Sequence, residues 1–273
     1  MVDPKLRDAV MSAIDLHKIM GVQTYNKQPG RPPISRNMER FGIDVEFIDG
    51  LRVTTEEAME VVKMTLIGKV NEELVRAMNQ HGNLAVGVNG ADAGTIVAEQ
   101  VRPELGRVGS VIEVNPAYLK SLINAAYVPI IASVGKGEDG GSFNINADAV
   151  ACAVAGAIGA QKIIFLTDVD GFYEDFDDKD SLVSRMSLQE TRDMLAEGRV
   201  SKGMIPKLQS CVLALEAGVH RAHIINGTMP HSLLIELLTQ VGCGTLIYND
   251  DEHNTKDEYA PLGLLASRLV ENL

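Results

Sequence analysis

Short apolar runs alternate with amphipathic stretches along this chain, and that alternation limits the folds open to it. Leu84–Val88 (LAVGV), Val128–Ser133 (VPIIAS), Ile163–Leu166 (IIFL), Ala222–Ile225 (AHII) and Thr245–Tyr248 (TLIY) have strand length. Helical patterns fall between them, from Glu56 to about His81 and near 115–126, 147–159, 187–197, 204–217 and 231–240. Ser187, with Glu190 three residues on, reads as a capping box. Strand–helix repetition of this kind predicts βαβ units in an α/β fold. The expected architecture is a three-layer αβα sandwich, a mainly parallel central sheet with helices on both faces. Residues 3–20 read as a further helix, with Asp3 as cap, Pro4 in the first turn and Gly21 as stop. Local rules make Val22–Pro33 (VQTYNKQPGRPP) a loop.

Composition removes several functions. The chain has 273 residues, enough for one large α/β domain or two lobes around a shared sheet. Its formal net charge of -12 has the wrong sign for a duplex-binding surface. With no Trp and 4% aromatics it lacks stacking platforms for single strands, so no nucleic-acid partner is expected. Cys152, Cys211 and Cys243 are odd in number and form no CxxC pair, which reads as free thiols in a reducing compartment. No signal-like N-terminus or membrane-length apolar run is present, so a cytoplasmic, membrane-free protein is expected. The acidic stretch Glu174–Asp180 (EDFDDKD) lacks Ca²⁺-loop spacing and reads as a solvated loop.

Ligands of open α/β sheets bind beyond the carboxyl ends of the strands. After Val128–Ser133 come Gly135, Gly137, Gly140 and Gly141, then Asn144-Ile145-Asn146-Ala147-Asp148. The two asparagines could offer amides to a carboxylate; an ordinary helix cap is the competing reading. Thr167-Asp168-Val169-Asp170-Gly171 follows the next strand and suits either a nucleotide pocket or a plain β-turn. Lys207 lies in the first turn of a helix opened by Gly203-Met204-Ile205-Pro206, a position that favours an anion nearby; it could equally be a surface lysine. Arg52, in Gly50-Leu51-Arg52-Val53-Thr54, has the planar fork that suits a carboxylate, or is a surface arginine beside a helix cap at Thr54. The chain contains no GxxxxGK[ST], GxSxG or HExxH.

The order of these segments is more specific than any one of them. Gly-Leu-Arg-Val-Thr, Asn-Ile-Asn-Ala-Asp, Leu-Thr-Asp-Val-Asp-Gly and Gly-Met-Ile-Pro-Lys follow one another. Pro230-His231-Ser232-Leu233-Leu234 and Gly242-Cys243-Gly244-Thr245 come after them. From about Phe41 to Ile247 the chain resembles the acetylglutamate kinases of the amino acid kinase superfamily. That resemblance implies transfer of the ATP γ-phosphoryl group, with Mg²⁺, to the side-chain carboxylate of N-acetyl-L-glutamate in arginine biosynthesis. It assigns acetylglutamate binding and dimerisation to a lobe of residues 1–158, and ATP binding to 159–273. Gly30, Arg52 and Asn144 would hold the acceptor. Lys207 would neutralise the group in flight, and Asp148 would orient the lysines. Thr167, Asp168, Gly171 and Met204 would line the nucleotide pocket. Glu236 and Gly242 match a region where some members bind inhibitory arginine.

Two departures qualify this expectation. The family places a lysine-bearing strand and a glycine loop before its first helix, whereas Met1 stands at that helix's threshold. It also carries an apolar strand ending in His-Gly-Gly-Gly-Pro where this chain has Gln28-Pro29-Gly30-Arg31-Pro32. Little or no kinase activity and reduced stability are expected, with a locally shifted reading frame over 23–32 as one explanation. The alternatives are a non-catalytic relative binding acetylglutamate or arginine, and another superfamily kinase acting on aspartate, glutamate, carbamate or UMP.

Overall fold

The computed structural model describes residues 21–22, 33–239 and 242–249. The expected helix 3–20, residues 23–32 with Gly30, and the last residues lie outside the described residues. The chain divides into two compact units, Met1–Ile158 and Gly159–Leu273.

In the first unit the order is β1 (Gly21–Val22), α1 (Pro33–Arg40), β2 (Phe47–Ile48), β3 (Leu51–Arg52) and α2 (Glu56–Lys63). A π-helical segment Met64–Asn71 leads into α3 (Glu72–Met78) and β4 (Ala85–Asn89). Then come β5 (Ile96–Gln100), β6 (Val108–Val114), α4 (Ala117–Asn124), β7 (Val128–Ala132), β8 (Val134–Lys136), β9 (Ser142–Ile145) and α5 (Ala147–Ile158). Strands β1, β7 and β4 form a parallel sheet in that order.

All five residues of β7 are buried, as a strand covered on both faces requires. Ile131 packs with Leu119 of α4 and Val150 and Val154 of α5. Its neighbour Ala132 packs with Met59, Val62 and Leu66 of the α2 side. Successive strand residues point to opposite faces, so helices cover both sides of this sheet. The long helix expected from Glu56 widens at Met64–Asn71. There the buried Asn71 side chain donates to Ile130 O at 2.7 Å, and Gly87 of β4 leaves the space it occupies.

Local rules failed at three places in this unit. Gly21, read as a helix stop, and Val22, read as loop, form β1 against Ile130 and Ile131; partners more than a hundred residues away override local preference. Pro33, read as loop, opens helix α1, where its missing N–H would be unbonded in any case. The cap of α2 is Thr55, whose hydroxyl accepts from Ala58 N, and not Thr54. The small closed barrel β5-β6-β9-β8 also escaped the sequence reading, because strands of three to seven residues broken by glycine give little periodic signal.

The second unit runs β10 (Lys162–Thr167), β11 (Arg185–Ser187), α6 (Leu188–Ala196), α7 (Ile205–Glu216), β12 (Arg221–Asn226), α8 (Ser232–Leu238) and β13 (Thr245–Tyr248). Its sheet order is β10-β12-β13-β11. The β10–β12 and β11–β13 pairs are parallel and β12–β13 is antiparallel. Both bonds of the capping box form at the start of α6, Glu190 N to Ser187 Oγ at 3.1 Å and Ser187 N to Glu190 Oε2 at 2.6 Å. The three cysteines are free thiols. Lys179 lies over the rings of Tyr173 and Phe176, at 4.7 and 4.1 Å, and so folds the acidic loop back on itself. Among the described residues no helix is long and apolar enough to cross a membrane.

Candidate functional site

The first unit gathers Arg52, Thr54 and Asn144. The antiparallel pair β2–β3 sets Arg52 opposite Phe47, and its guanidinium lies 4.8 Å from that ring's centre. Helix α1 supplies the other neighbours. Arg52 donates to Ser35 Oγ at 2.9 Å and approaches Met38 Sδ at 3.4 Å. All three neighbours are neutral, and among the described residues no carboxylate pairs with Arg52. Burial lowers the Arg52 pKa from its ordinary value, yet an arginine stays charged at neutral pH. A half-buried cation held by neutral groups is suited to an anionic ligand, and its fork matches a carboxylate.

Asn144 sits on β9, flanked by β6 and β8. Its Nδ2 donates to Thr54 Oγ1 at 3.4 Å, and that hydroxyl donates to Arg52 O at 3.1 Å. The backbone tightens the same cluster: Asn144 N donates to Arg107 O at 2.8 Å, and Arg107 N to Thr54 O at 2.6 Å. Arg107 is itself anchored by Glu56 and Asp139, at 2.5 and 2.6 Å, and lies over Phe143. Hydrogen bonds from Arg107 and Gly141 hold the Asp139 carboxyl below its usual range. Asn146, offered above as a second amide for the ligand, is a helix cap: its Oδ1 accepts from Asp148 N and Ala149 N at 2.8 and 3.3 Å. Asp148 stands half-buried in the first turn of α5.

In the second unit Thr167 ends β10 and is buried. Its hydroxyl donates to Val169 O at 2.7 Å and accepts from Val169 N at 3.2 Å, which shapes the turn into Asp170. Asp168 is exposed on that turn. Asp170 accepts from Asn226 Nδ2 and from the Tyr173 hydroxyl, each at 2.8 Å, and these bonds hold its carboxyl below the ordinary range. A Cβ at Gly171 would stand 2.5 Å from Thr245 Oγ1, so close packing accounts for this glycine. Met204 is buried at the N-cap of α7. Lys207, in the first turn of that helix, reaches over the Phe165 ring with Nζ 5.7 Å from its centre.

Glu236 of α8 is buried with both oxygens engaged. Oε1 meets His223 Nδ1 at 2.6 Å, and Oε2 accepts from Cys243 N and Gly244 N at 2.7 and 3.2 Å. Burial pushes this carboxyl up, but the His223 contact and the two backbone donors outweigh it and leave it below its usual range. Burial first, then the Glu236 charge, pushes the Cys243 thiol up to about 11, where it is unreactive at neutral pH. A Cβ at Gly242, whose φ is +70°, would stand 2.6 Å from Glu236 Oε2. Glu236 and Gly242 therefore shape one loop.

Thr54, Ser35 and Asp170 belong to these clusters and were not singled out from sequence as site residues. Thr54 was obscured by the adjacent Thr55, since only one of the pair caps the helix.

Residues 29–226 match the model of the amino acid kinase family. An acetylglutamate kinase from Caldanaerobacter subterraneus subsp. tengcongensis is 43% identical over 257 residues, covering 92% of this chain and 86% of that protein. Among solved structures, smu.665 from Streptococcus mutans superposes with a TM-score of 0.64 at 28% identity, over 79% of this chain and 82% of that one. The fold is also that of N-acetylglutamate synthase from Neisseria gonorrhoeae, with a TM-score of 0.73 at 24% identity over 89% of this chain and 56% of that chain. The chain belongs to the amino acid kinase family, among the acetylglutamate kinases.

Proposed function

We propose that this chain transfers the γ-phosphoryl group of ATP to the side-chain carboxylate of N-acetyl-L-glutamate, as a step of arginine biosynthesis in the cytoplasm. The observation that carries the choice of acceptor is Arg52, a half-buried guanidinium that, among the described residues, is held by neutral groups beside Thr54 and Asn144. Arg52 would bind the α-carboxylate of the acceptor and Asn144 its amide. The unit of residues 1–158 would also form the homodimer, and residues 159–273 would hold the nucleotide through Thr167, Asp168, Gly171 and Met204. The acceptor oxygen attacks the γ-phosphorus, an acyl phosphate forms, and ADP leaves. The attacking group is already a carboxylate, so no base has to remove a proton.

Phosphoryl transfer depends mainly on positioning and on cancelling charge. Lys207, at a helix start where an anion is welcome, would supply that positive charge, and Asp148 would orient the lysines. Among the described residues no group of three or more His, Cys, Asp or Glu side chains could hold a metal ion. Mg²⁺ would therefore arrive on the phosphates of the nucleotide, its common mode in kinases. Glu236 and Gly242 would shape an arginine-responsive loop.

Turnover is expected to be slow. Gln28-Pro29-Gly30-Arg31-Pro32 stands where the resemblance places His-Gly-Gly-Gly-Pro, and Pro29 removes a backbone donor from that stretch. The test is ADP release with ATP and Mg²⁺ in the presence of acetylglutamate, aspartate, carbamate or UMP, with the acyl phosphate trapped as its hydroxamate. Acetylglutamate-dependent release is expected. The triple change Gln28→His, Pro29→Gly, Arg31→Gly should raise it, and Lys207→Met should lower it by about 10²–10³-fold. No acetylglutamate-dependent release from either the native chain or the triple variant would overturn the reading.

A further inference from the structure

We propose that Thr54 is a positioning and specificity-determining residue: its hydroxyl fixes the orientation of the Asn144 amide and thereby selects an acceptor that carries an N–H beside its carboxylate. The inference rests on the acetylglutamate reading above and deepens it.

Thr54 is completely buried, at 0% exposure. A threonine hydroxyl has one proton to donate. Here it points at Arg52 O, 3.1 Å away. Toward any second partner Oγ1 can only accept. Asn144 is that partner at 3.4 Å, so it must present its NH₂ end. The other end of the amide, Oδ1, receives no hydrogen bond from any described residue and is left as an acceptor for a ligand.

The arrangement is pinned from the backbone side. Thr54 N donates to Leu105 O at 3.0 Å, Thr54 O accepts from Arg107 N, and Arg107 O accepts from Asn144 N. Gly106, with φ at +64°, presses so closely on the Thr54 carbonyl that a Cβ there would collide with it. These contacts fix the Thr54 backbone and keep Oγ1 between Arg52 O and Asn144, where turning its proton toward Asn144 would forfeit the bond to Arg52 O.

The site thus pairs a guanidinium, which takes a carboxylate, with a carbonyl oxygen, which takes an N–H. An N-acyl amino acid supplies both from adjacent atoms. An ester analogue supplies the carboxylate but sets oxygen against oxygen, leaving a polar group unmatched. Losing that match should weaken binding about 10–100-fold.

The experiment is titration calorimetry on the full chain with N-acetyl-L-glutamate and with O-acetyl-2-hydroxyglutarate, the same molecule with oxygen in place of the amide N–H. The native protein and Thr54→Ser should favour the amide by that factor. In Thr54→Val the Asn144 amide is free to turn over, and the preference should collapse toward parity, with the ester binding no worse than before. A purely structural role for Thr54 would weaken both ligands together, and that result overturns the proposal. So does a native preference near one, which needs no variant and stands even if Thr54→Val fails to fold. If the native chain binds neither molecule, the acetylglutamate reading falls and this inference falls with it.

Discussion

Glu236 Oε1 lies 2.6 Å from His223 Nδ1, joining helix α8 to strand β12 through two residues that are 6% and 1% exposed. The other oxygen of the same carboxylate holds the backbone N–H groups of Cys243 and Gly244. Glu236, on the helix, is thus the common acceptor for a strand and a loop. Its replacement by alanine takes the partner from two buried donors, His223 Nδ1 and Gly244 N, and from the half-buried Cys243 N. Glu236→Ala should destabilise the protein by about 3–5 kcal/mol, read from denaturant midpoints. A loss below 1 kcal/mol would show that water replaces the carboxylate without strain.

The acid limb of stability follows from the lowered carboxyls. Asn226 and Tyr173 hold Asp170 below its ordinary range, and His223 with the backbone of Cys243 and Gly244 does the same for Glu236 against the pull of burial. A carboxyl with a lower pKa in the folded state is protonated more readily in the unfolded chain. The stability it lends is complete above the ordinary value of about 4 and is lost as pH falls through the lowered folded value. Urea midpoints should therefore fall below about pH 4, and Asp170→Asn should flatten part of that fall. Equal acid limbs in both proteins would remove Asp170 from the account.

Arg52 should act on binding more than on chemistry. Arg52→Ala should weaken acetylglutamate by about 2 kcal/mol, roughly 30-fold, with nucleotide affinity unchanged. Arg52→Lys should recover little of this, because an ammonium cannot match both carboxylate oxygens and loses the stacking on Phe47. Full recovery in the lysine variant would mean that charge alone is needed.

Gly171 gives a packing prediction. Thr245 is buried, accepts from Phe172 N at 2.8 Å and donates to Val183 O at 2.7 Å, so it cannot give way to an added methyl. Gly171→Ala should cost about 1–3 kcal/mol in thermal or denaturant unfolding. In a Thr245→Ala background, which removes the clashing Oγ1, the added cost of Gly171→Ala should shrink. No cost in the single variant would show that the turn after β10 can shift.

The α/β class, the five main strands, the helices beyond residue 115 and the order of the motif segments were legible in the sequence. Those features are written in local hydrophobic period and in residue order, so they need no knowledge of distant contacts. The Ser187–Glu190 capping box was legible for the same reason, since both of its bonds close within four residues. Tertiary structure decided the rest. Gly21 and Val22 became strand only because β7 offers unpaired backbone groups more than a hundred residues later. Asn144 and Asn146, alike in sequence, parted because one meets Thr54 across 90 residues while the other turns to the N–H groups of its own helix. Arg52 reads locally as a carboxylate reader or as an ordinary surface charge; the fold holds it half-buried against the neutral Ser35, Met38 and Phe47. Local sequence fixes what each residue can donate, accept or bury, and the fold decides which partner takes it.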